Sequence, residues 1–561
     1  MRKNWKIRKP DAVLQEKLSK EMGMSLSLAG LLVNRNITTS LAAENFLNAG
    51  LSYLHNADLL PDIEKAAKRI HEALHNNEKV LIFSDYDADG ITALAILKNA
   101  FRRLGLAHEH YLPHRIKEGY GLSRNFIEHA KDKKADLVIT LDCGISNFAE
   151  IEDLNRLNID TIVVDHHEPK EDKLPPAYAI IDPKRRDAQY PYRDLAGVGL
   201  SYKLASYLLS NNLEEELDLA CIGTVADVVS LSGENRIIVK QGLKKINNGN
   251  VRLGLKSLLE VAGIKDKEIT TEYISYILGP RLNACGRIDS PDAALDLLLC
   301  ESEEKARELA RGLHLKNQER QRIEGKIMEE ALDMLLGRGE IDFNNERVIV
   351  LHQDGWHQGV LGIVAAKLAD KFHRPTVVIS CNDKVGRGSA RSIANFHLFE
   401  SLVKCQQYLQ NFGGHKHAAG LSILRKDIED FKKSINRIAR ETLSPEDLIP
   451  SLDIDMELKL EDLSPELIEE IALLAPFGQD NAQPLFVSSG LKIKSKPDIL
   501  GRDTLKFWVS DGKNVYPAVG FGMGDYFELV NSAQTVDLAY RLSLDTWQGN
   551  NQPQLEIADI K

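Results

Sequence analysis

Residues 79–93 read KVLIFSDYDADGITA: an apolar run, VLIF, stops at Ser84, carboxylates follow at Asp85, Asp87 and Asp89, and a helical pattern, ALAILKNAFRRLG, continues behind them. A short apolar run bounded by polar residues is the mark of a buried strand, and a helix directly after it opens a strand–helix–strand crossover. The same arrangement recurs in ADLVITLD, which ends on Asp142, in IDTIVVDHH, which ends on Asp165, His166 and His167, and in YAIIDP. Alternation of such runs with helical patterns from about residue 60 to 230 predicts a parallel sheet with crossover helices, and ligands of such sheets collect at the carboxyl ends of the strands.

Working outward, residues 1–55 carry helical patterns such as LAGLLVNR without recognisable chemistry and read as an N-terminal helical cap. Residues 56–300 form the first α/β lobe, and 301–338, charged and interrupted only by Gly312 and Gly325, a connector helix. A second α/β lobe spans 339–445, with strands RVIVLHQ and TVVISC and a glycine-rich turn, GGHKHAAG. Residues 446–561 hold short runs of strand character (LFVSSGLKIKSK, TLKFWVSD, VYPAVGFG, TVDLAYRLSLD, PQLEIADI) and suit a small barrel of the oligonucleotide-binding type. The fold class is therefore α/β, two lobes joined by a long helix, plus an OB-like β-barrel.

The bulk numbers exclude more than they assign. A chain of 561 residues is too long for one core. Its net charge of −11 offers no global attraction to nucleic acid, so any such partner needs a local basic groove. Cys143, Cys221, Cys285, Cys300, Cys381 and Cys405 show no CxxC spacing, which argues against zinc and against a disulfide framework and for a reducing, cytoplasmic setting. No run reaches the ~18 apolar residues of a membrane span.

The chemistry lies in four clusters taken together: Asp85, Asp87 and Asp89; Asp142; Asp165, His166 and His167; and Asp227 in IGTVADVV. Alone, DYDADG is as readily an Asp-rich turn. It is not a calcium loop, because Ile96 stands where that loop needs glutamate. Asp142 alone is unremarkable, and the histidine pair alone is equally a hydrogen-bonded buried pair. In order along one sheet, however, carboxylates and imidazoles repel one another or stay undersolvated unless cations sit among them. Mixed oxygen and imidazole donors favour Mn2+ or Mg2+ over zinc. Two such ions, about 3.5–4 Å apart and bridged by a carboxylate, would clamp a phosphoryl group.

The ordered set DYDADG, LDCG, DHH and GTVADVV resembles the DHH phosphoesterase superfamily, and EGYGLS, GPRLNACGRI, DGWHQGVLGIVA, GRGSARSI and GGHKHAAG resemble its RecJ family of single-strand-specific 5′-to-3′ DNA exonucleases. The resemblance implies DHH and DHHA1 lobes and two divalent cations. Asp87, Asp89, Asp142, His166 and Asp227 would be the ligands, with Asp142 a bridge. Asp85 would ligate or order its loop, and His167 would hydrogen-bond a phosphate oxygen. Ser230 stands where the family pattern often has proline.

With a phosphodiester as substrate, Arg115, Arg281 and Arg287, together with Asn283, Ser389, Arg391 and His415, become candidate phosphate contacts in glycine-flanked loops. His352 and His357 beside Trp356 read equally as core or as cleft. In the barrel, Phe507, Trp508, Tyr516, Phe521, Tyr540 and Trp547 are candidates for base stacking as a group, and Lys492, Lys494, Lys496, Arg502 and Lys506 for tracking a backbone. The expected activity is removal of nucleotides from the 5′ end of single-stranded DNA in repair and recombination, with a RecQ-type helicase and a single-strand-binding protein as partners and no membrane. The rival readings are a phosphodiesterase of oligoribonucleotides or cyclic dinucleotides, and a non-catalytic RecJ-like replication scaffold.

Overall fold

The structure is a computed structural model that describes residues 3–170, 173–337, 346–545 and 552–561. The chain divides into two compact units: Asn56–Asp227 with Gly242–Pro450, and Met1–His55 with Val228–Gln241 and Ser451–Lys561.

The first unit opens with strand β1 (Val80–Ser84), helix α1 (Ala88–Leu104) and strands β2 (His108–Tyr111), β3 (Leu137–Leu141), β4 (Asp160–Val164) and β5 (Ala179–Ile181). All neighbours pair in parallel, in the order β2-β1-β3-β4-β5. After β1 the chain visits one edge and returns on the other side of β1 as β3. The carboxyl ends of β1 and β3 thus flank the reversal of strand order, where open α/β sheets form their ligand crevice. Both strands are buried throughout, which is why they read as unbroken apolar runs. Strand β2, HEHY, carries no such run because it lies at the sheet edge and stays partly exposed.

Helix α1 begins where the Asp87 carboxylate accepts the amides of Asp89 and Gly90, an N-cap that also fixes the Asp87 side chain. A Cβ on Gly90 would stand 2.5 Å from the Asp85 carbonyl oxygen, so only glycine lets the acidic loop fold back over the first turn.

Helices α2 (Gly197–Leu209), α3 (Leu217–Ala226) and α4 (Gly279–Ile288) follow, the last entered through a π-helical turn, Ile274–Leu278. The connector is one helix, α5 (Glu303–Leu336), which Gly312 and Gly325 do not interrupt. Beyond it come strand β6 (Ile349–Asp354), helix α6 (Leu361–Phe372), and strands β7 (Thr376–Cys381), β8 (Val385–Arg391), β9 (Leu409–Gly414) and β10 (Ala418–Leu424). Their order is β9-β10-β8-β7-β6, antiparallel except between β6 and β7.

Two segments expected as loops are regular structure. GRGSARSI contributes strand β8, where the Gly386 and Gly388 positions face Ile379 with no room for a side chain. Glycine there marks close packing within a sheet rather than a turn. GPRLNACGRI forms α4, tertiary packing overriding the modest helix propensity of its Gly and Asn.

In the second unit, Phe486–Ile493, Thr535–Asp545, Gln552–Ile560, Val515–Phe521 and Thr504–Ser510 pair in that sequence, and Lys492–Ile493 then pair with Val509–Ser510, returning the sheet to its first strand. This is OB-type connectivity. Residues 1–55 share its core: Leu18, Leu28, Leu31 and Leu32 pack in one cluster with Phe486, Phe507 and Tyr540. Strand Asn4–Ile7 pairs in parallel with Ser451–Ile454. Trp547 lies outside the described residues.

Candidate metal centre

Separate turns of the first unit deliver the site. The loop after β1 carries Asp85 and Asp87, α1 opens with Asp89, β3 runs into Asp142, β4 into Asp165, His166 and His167, and Asp227 caps the end of α3. Asp142 has φ of 59°, a left-handed conformation that Asp and Asn tolerate better than most residues and that turns the chain sharply off the strand.

His166 Nε2 lies 3.1 Å from Asp142 Oδ1, 3.6 Å from Asp227 Oδ2 and 3.9 Å from Asp89 Oδ2. Three overlapping sets have ligand atoms within 4.8 Å of one another: Asp85, Asp87 and Asp142; Asp142, His166 and His167; and Asp89, His166 and Asp227. Asp142 is common to the first two and His166 to the last two, the overlap expected of adjoining positions that share ligands.

Electrostatics without a cation would be unfavourable. Burial first, and neighbouring carboxylates second, push Asp85, Asp142 and Asp227 well above the usual carboxylate range and Asp89 up to about 7. Burial, then the neighbouring His167, pushes His166 down to about 3, leaving a neutral imidazole with a lone pair to give. Asp85 Oδ1, Asp142 Oδ1 and both ring nitrogens of His166 are buried without a hydrogen-bond partner. An unsatisfied buried polar atom costs about 1–3 kcal/mol. Cations among these atoms would remove both penalties, and the donor set fits Mn2+ or Mg2+.

Around these candidate ligands stands a layer of hydrogen-bonding groups. Asp165 Oδ1 accepts the amides of His166 (2.7 Å) and His167 (3.1 Å) and meets His167 Nδ1 at 2.7 Å, while Oδ2 accepts the Ile145 amide at 2.9 Å. Burial opposes charge on both partners, yet their attraction holds Asp165 well below the usual range and pushes His167 up to about 9. Both oxygens of Asp89 accept backbone amides at the start of α2, from Gly197 and Val198, each at 2.8 Å. A Cβ on Gly197 would lie 2.9 Å from the Asp142 Cβ, so a side chain there would collide with the site. These α2 contacts are missing from the sequence reading, which gives residues 196–199 no role. Tyr120 is missing too: its hydroxyl donates to the Asp142 carbonyl at 3.1 Å and lies 3.1 Å from His167 Nδ1. The flanking glycines of EGYGLS, at φ 86° and 81°, were the available signal.

The candidate phosphate contacts separate. Arg115 and Ser389 line a cleft of about 810 Å³ together with Tyr86, Tyr120 and Arg387. The Arg115 guanidinium lies 5.0 Å from the centroid of the Tyr86 ring. Arg391 donates to the Ala390 carbonyl at 2.9 Å and sits 3.5 Å from Ser389 Oγ. Arg287 donates to the Gly359 carbonyl at 3.3 Å, and burial pushes it down to about 9. By contrast, Arg281 donates to the Ile277 carbonyl (2.7 Å) and towards His314, and Asn283 accepts the Ala88 amide at 2.7 Å, fastening the acidic loop. His415 stands exposed in the turn between β9 and β10. Trp356 is core, its indole donating to Glu330, and His357 caps the turn at Gly359. His352 is half-buried and lies 3.7 Å from Glu429.

Comparison with known proteins follows the same architecture. Family models match at residues 79–224 (DHH family, N-terminal domain), 345–441 (DHHA1 domain) and 454–559 (RecJ OB domain). The chain is 37% identical over 558 residues to the single-stranded-DNA-specific exonuclease RecJ of Bacillus subtilis (strain 168), covering 99% of this chain and 70% of that protein. It is 34% identical over 540 residues to the RecJ of Dickeya dadantii (strain 3937), covering 92% and 93%. RecJ from Thermus thermophilus in complex with Mn2+ matches with a TM-score of 0.85 at 27% identity, over 100% of this chain and 79% of that one. The corresponding Mg2+ complex matches with a TM-score of 0.80 at 25% identity, covering 100% and 78%.

Proposed function

Because the chain belongs to the RecJ family of single-stranded-DNA-specific exonucleases, we propose a 5′-to-3′ direction for it and a division of labour among the residues of its metal centre. It is a metal-dependent hydrolase of phosphodiester bonds in single-stranded DNA and uses two divalent cations, Mn2+ or Mg2+. The observation that carries this is the overlap of the three ligand sets on Asp142 and His166 in a chain that matches RecJ over nearly its whole length.

When bound, the cation pair supplies Lewis acidity, a lowered pKa for water and charge compensation at the phosphoryl oxygens. In the reading proposed, Asp85, Asp87 and Asp142 would hold one position and Asp89, His166 and Asp227 the other, with Asp142, 3.1 Å from His166 Nε2, shared between the two. Asp165 keeps both imidazoles in place. His167, with one ring nitrogen committed to Asp165, offers the other to a phosphate oxygen, where charge develops during displacement. Arg115, Ser389 and Arg391 grip the 5′-terminal phosphate, which sets polarity; Arg287 and His415 add contacts to the strand. Arg281 and Asn283 support the loops that carry these groups.

A duplex has to be opened before a single strand can enter, so a RecQ-type helicase and a single-strand-binding protein are the proposed partners, in repair and recombination in the cytoplasm. The test is digestion of 5′- and 3′-labelled oligonucleotides with Mn2+, Mg2+ or chelator. Early release of the 5′ label as mononucleotide, abolished by chelator, is expected. Early release of the 3′ label, or faster turnover of dinucleotides than of long strands, would overturn the reading.

A further inference from the structure

The second unit encloses a cavity of about 400 Å³ that no residue of the metal centre lines. Residues from both ends of the chain wall it, together with the segment Leu231–Ile237. Ile37, Leu231 and Ile237 make much of its surface apolar, and the rings of Phe46 and Tyr53 line it as well. A cavity of this size, apolar apart from a few polar groups, is of the kind that holds a small ligand.

The polar groups of the lining differ in what they have left to offer. Arg236, 1% exposed, donates its five N–H groups to the backbone carbonyls of Phe46, Leu473, Leu474, Ala475 and Pro476, at 2.8–3.3 Å. Arg35 is engaged by Asn481 (3.0 Å), by Asp455 (3.3 Å) and by the carbonyls of Leu31 and Ala482, and Glu234 accepts the His55 amide at 2.9 Å. Asn45 is the exception. Its Oδ1 is buried without a hydrogen-bond partner, and among the described residues nothing accepts from its Nδ2. An unmet buried acceptor is a cost that a donor arriving from outside would remove. The neighbouring Phe46 ring is held in place, its centroid 3.7 Å from the Arg236 guanidinium. Helix Ser40–Asn48 thus brings a fixed ring and an unengaged carboxamide to the same cavity. Formal charge in the lining cancels, Arg35 and Arg236 against Glu234 and Asp480, so the cavity suits a neutral ligand better than an anion.

A carboxamide offers an acceptor and a donor side by side. Its complement is a flat ring with an N–H beside a lone pair, an edge that every nucleobase carries. Among aromatic side chains, tryptophan offers a donor alone, and tyrosine has both functions on a single oxygen. We propose that the cavity is a binding site for a neutral nucleoside, its base against the rings of Phe46 and Tyr53 and its edge paired with the Asn45 carboxamide. The site takes the free nucleoside and needs neither a strand nor a cation.

The test is calorimetric titration of the full chain with thymidine, cytidine, adenosine and guanosine, in chelator so that no cation recruits ligand to the metal centre. At least one of the four is expected to bind at a single site with a dissociation constant below about 1 mM. Asn45→Leu should weaken that binding roughly 5- to 150-fold without lowering the melting temperature, since the carboxamide has no partner in the protein to lose. Tyr53→Ala, at a ring 37% exposed, should weaken it by a similar factor, about 5- to 150-fold, through lost stacking, and serves alone if Asn45→Leu does not fold. Binding by none of the four, or an affinity unchanged in the variants, overturns the proposal. So does binding of thymidine 5′-monophosphate with no nucleoside bound, which would mark an anion site. Saturable binding of N-acetyltyrosinamide with no nucleoside bound overturns it too, assigning the cavity to a side chain of a partner protein.

Discussion

His166 Nε2 and Asp142 Oδ1 lie 3.1 Å apart, and neither atom makes a hydrogen bond. Two buried polar atoms this close and still unsatisfied are poised to share a third party rather than each other, which ties the next predictions to bound cations.

Asp142→Asn keeps the side-chain shape and tolerates φ of 59°, yet removes the charge shared by two ligand sets. Exonuclease activity is expected to fall at least ~1,000-fold, in line with loss of a group stabilising the transition state, with thermal melting of the metal-free protein unchanged or slightly improved. Calorimetric titration with Mn2+ should show a lost or weakened site; titration like that of the unsubstituted protein would remove Asp142 from the ligand set.

Asp165→Asn removes an acceptor serving the amides of Ile145, His166 and His167 and the His167 ring. Groups that orient ligands typically cost about 10–100-fold when replaced. The drop should appear both in Mn2+ affinity and in turnover. A change in KM for DNA with metal affinity and turnover intact would contradict the orienting role.

Arg391→Ala and Arg281→Ala should part company. Arg391 lies beside Ser389, and its loss should raise KM for a 5′-phosphorylated oligonucleotide about 10–100-fold, the worth of a charge-assisted hydrogen bond. Arg281 is engaged by the Ile277 carbonyl and His314, so its loss should lower the melting temperature more than it raises KM. Steady-state kinetics on 5′-phosphate and 5′-hydroxyl strands, beside melting curves, distinguish the two.

Saturating Mn2+ should stabilise the protein against urea, because cations bind the folded site and not the dispersed ligands. At 100 times the dissociation constant one site adds about 2.7 kcal/mol. No shift in the urea midpoint on adding Mn2+ would mean that the cluster does not hold the ion.

Away from the site, Asp218 is buried against Arg252 (2.8 Å) and Lys245 (3.3 Å). Burial raises its pKa, but the two cations, Arg252 foremost, outweigh that and leave it below the usual range. The folded value being the lower one, the stabilisation is full above the unfolded carboxyl's pKa and is lost as pH falls through the folded value. Asp218→Asn, which leaves Glu216, 3.0 Å from Arg252, as the carboxylate still paired with these two cations, should cost about 3 kcal/mol near neutral pH, the lower end for breaking a buried pair. The difference from the unsubstituted chain should shrink in urea titrations on acidification, and a constant difference would exclude the charge as its cause.

Much of the site was legible because its residues end apolar runs. A buried strand announces itself by composition, and the residue after it faces the crevice, so Asp85, Asp142 and His166 could be read from position alone. The arginines were less legible. Arg281 and Arg391 looked alike between glycines, but one lies on α4 with a carbonyl and an imidazole in reach, and the other on β8 beside Ser389. Tyr120 and the α2 amides escaped because a lone tyrosine and an apolar helix start have many structural uses.

By itself the sequence determined the class of fold, the order of its parts and the candidate metal-binding residues, since these follow from hydrophobic periodicity and from the limited set of side chains able to hold a cation. Tertiary structure alone decided which atoms meet: that Asp142 and His166 are common to overlapping candidate ligand sets, that Asp89 rests on the amides of Gly197 and Val198, and that residues 1–55 complete the barrel core. Meetings between residues far apart in the chain arise from packing, which depends on the whole chain's shape and leaves no local signature in any one stretch of it.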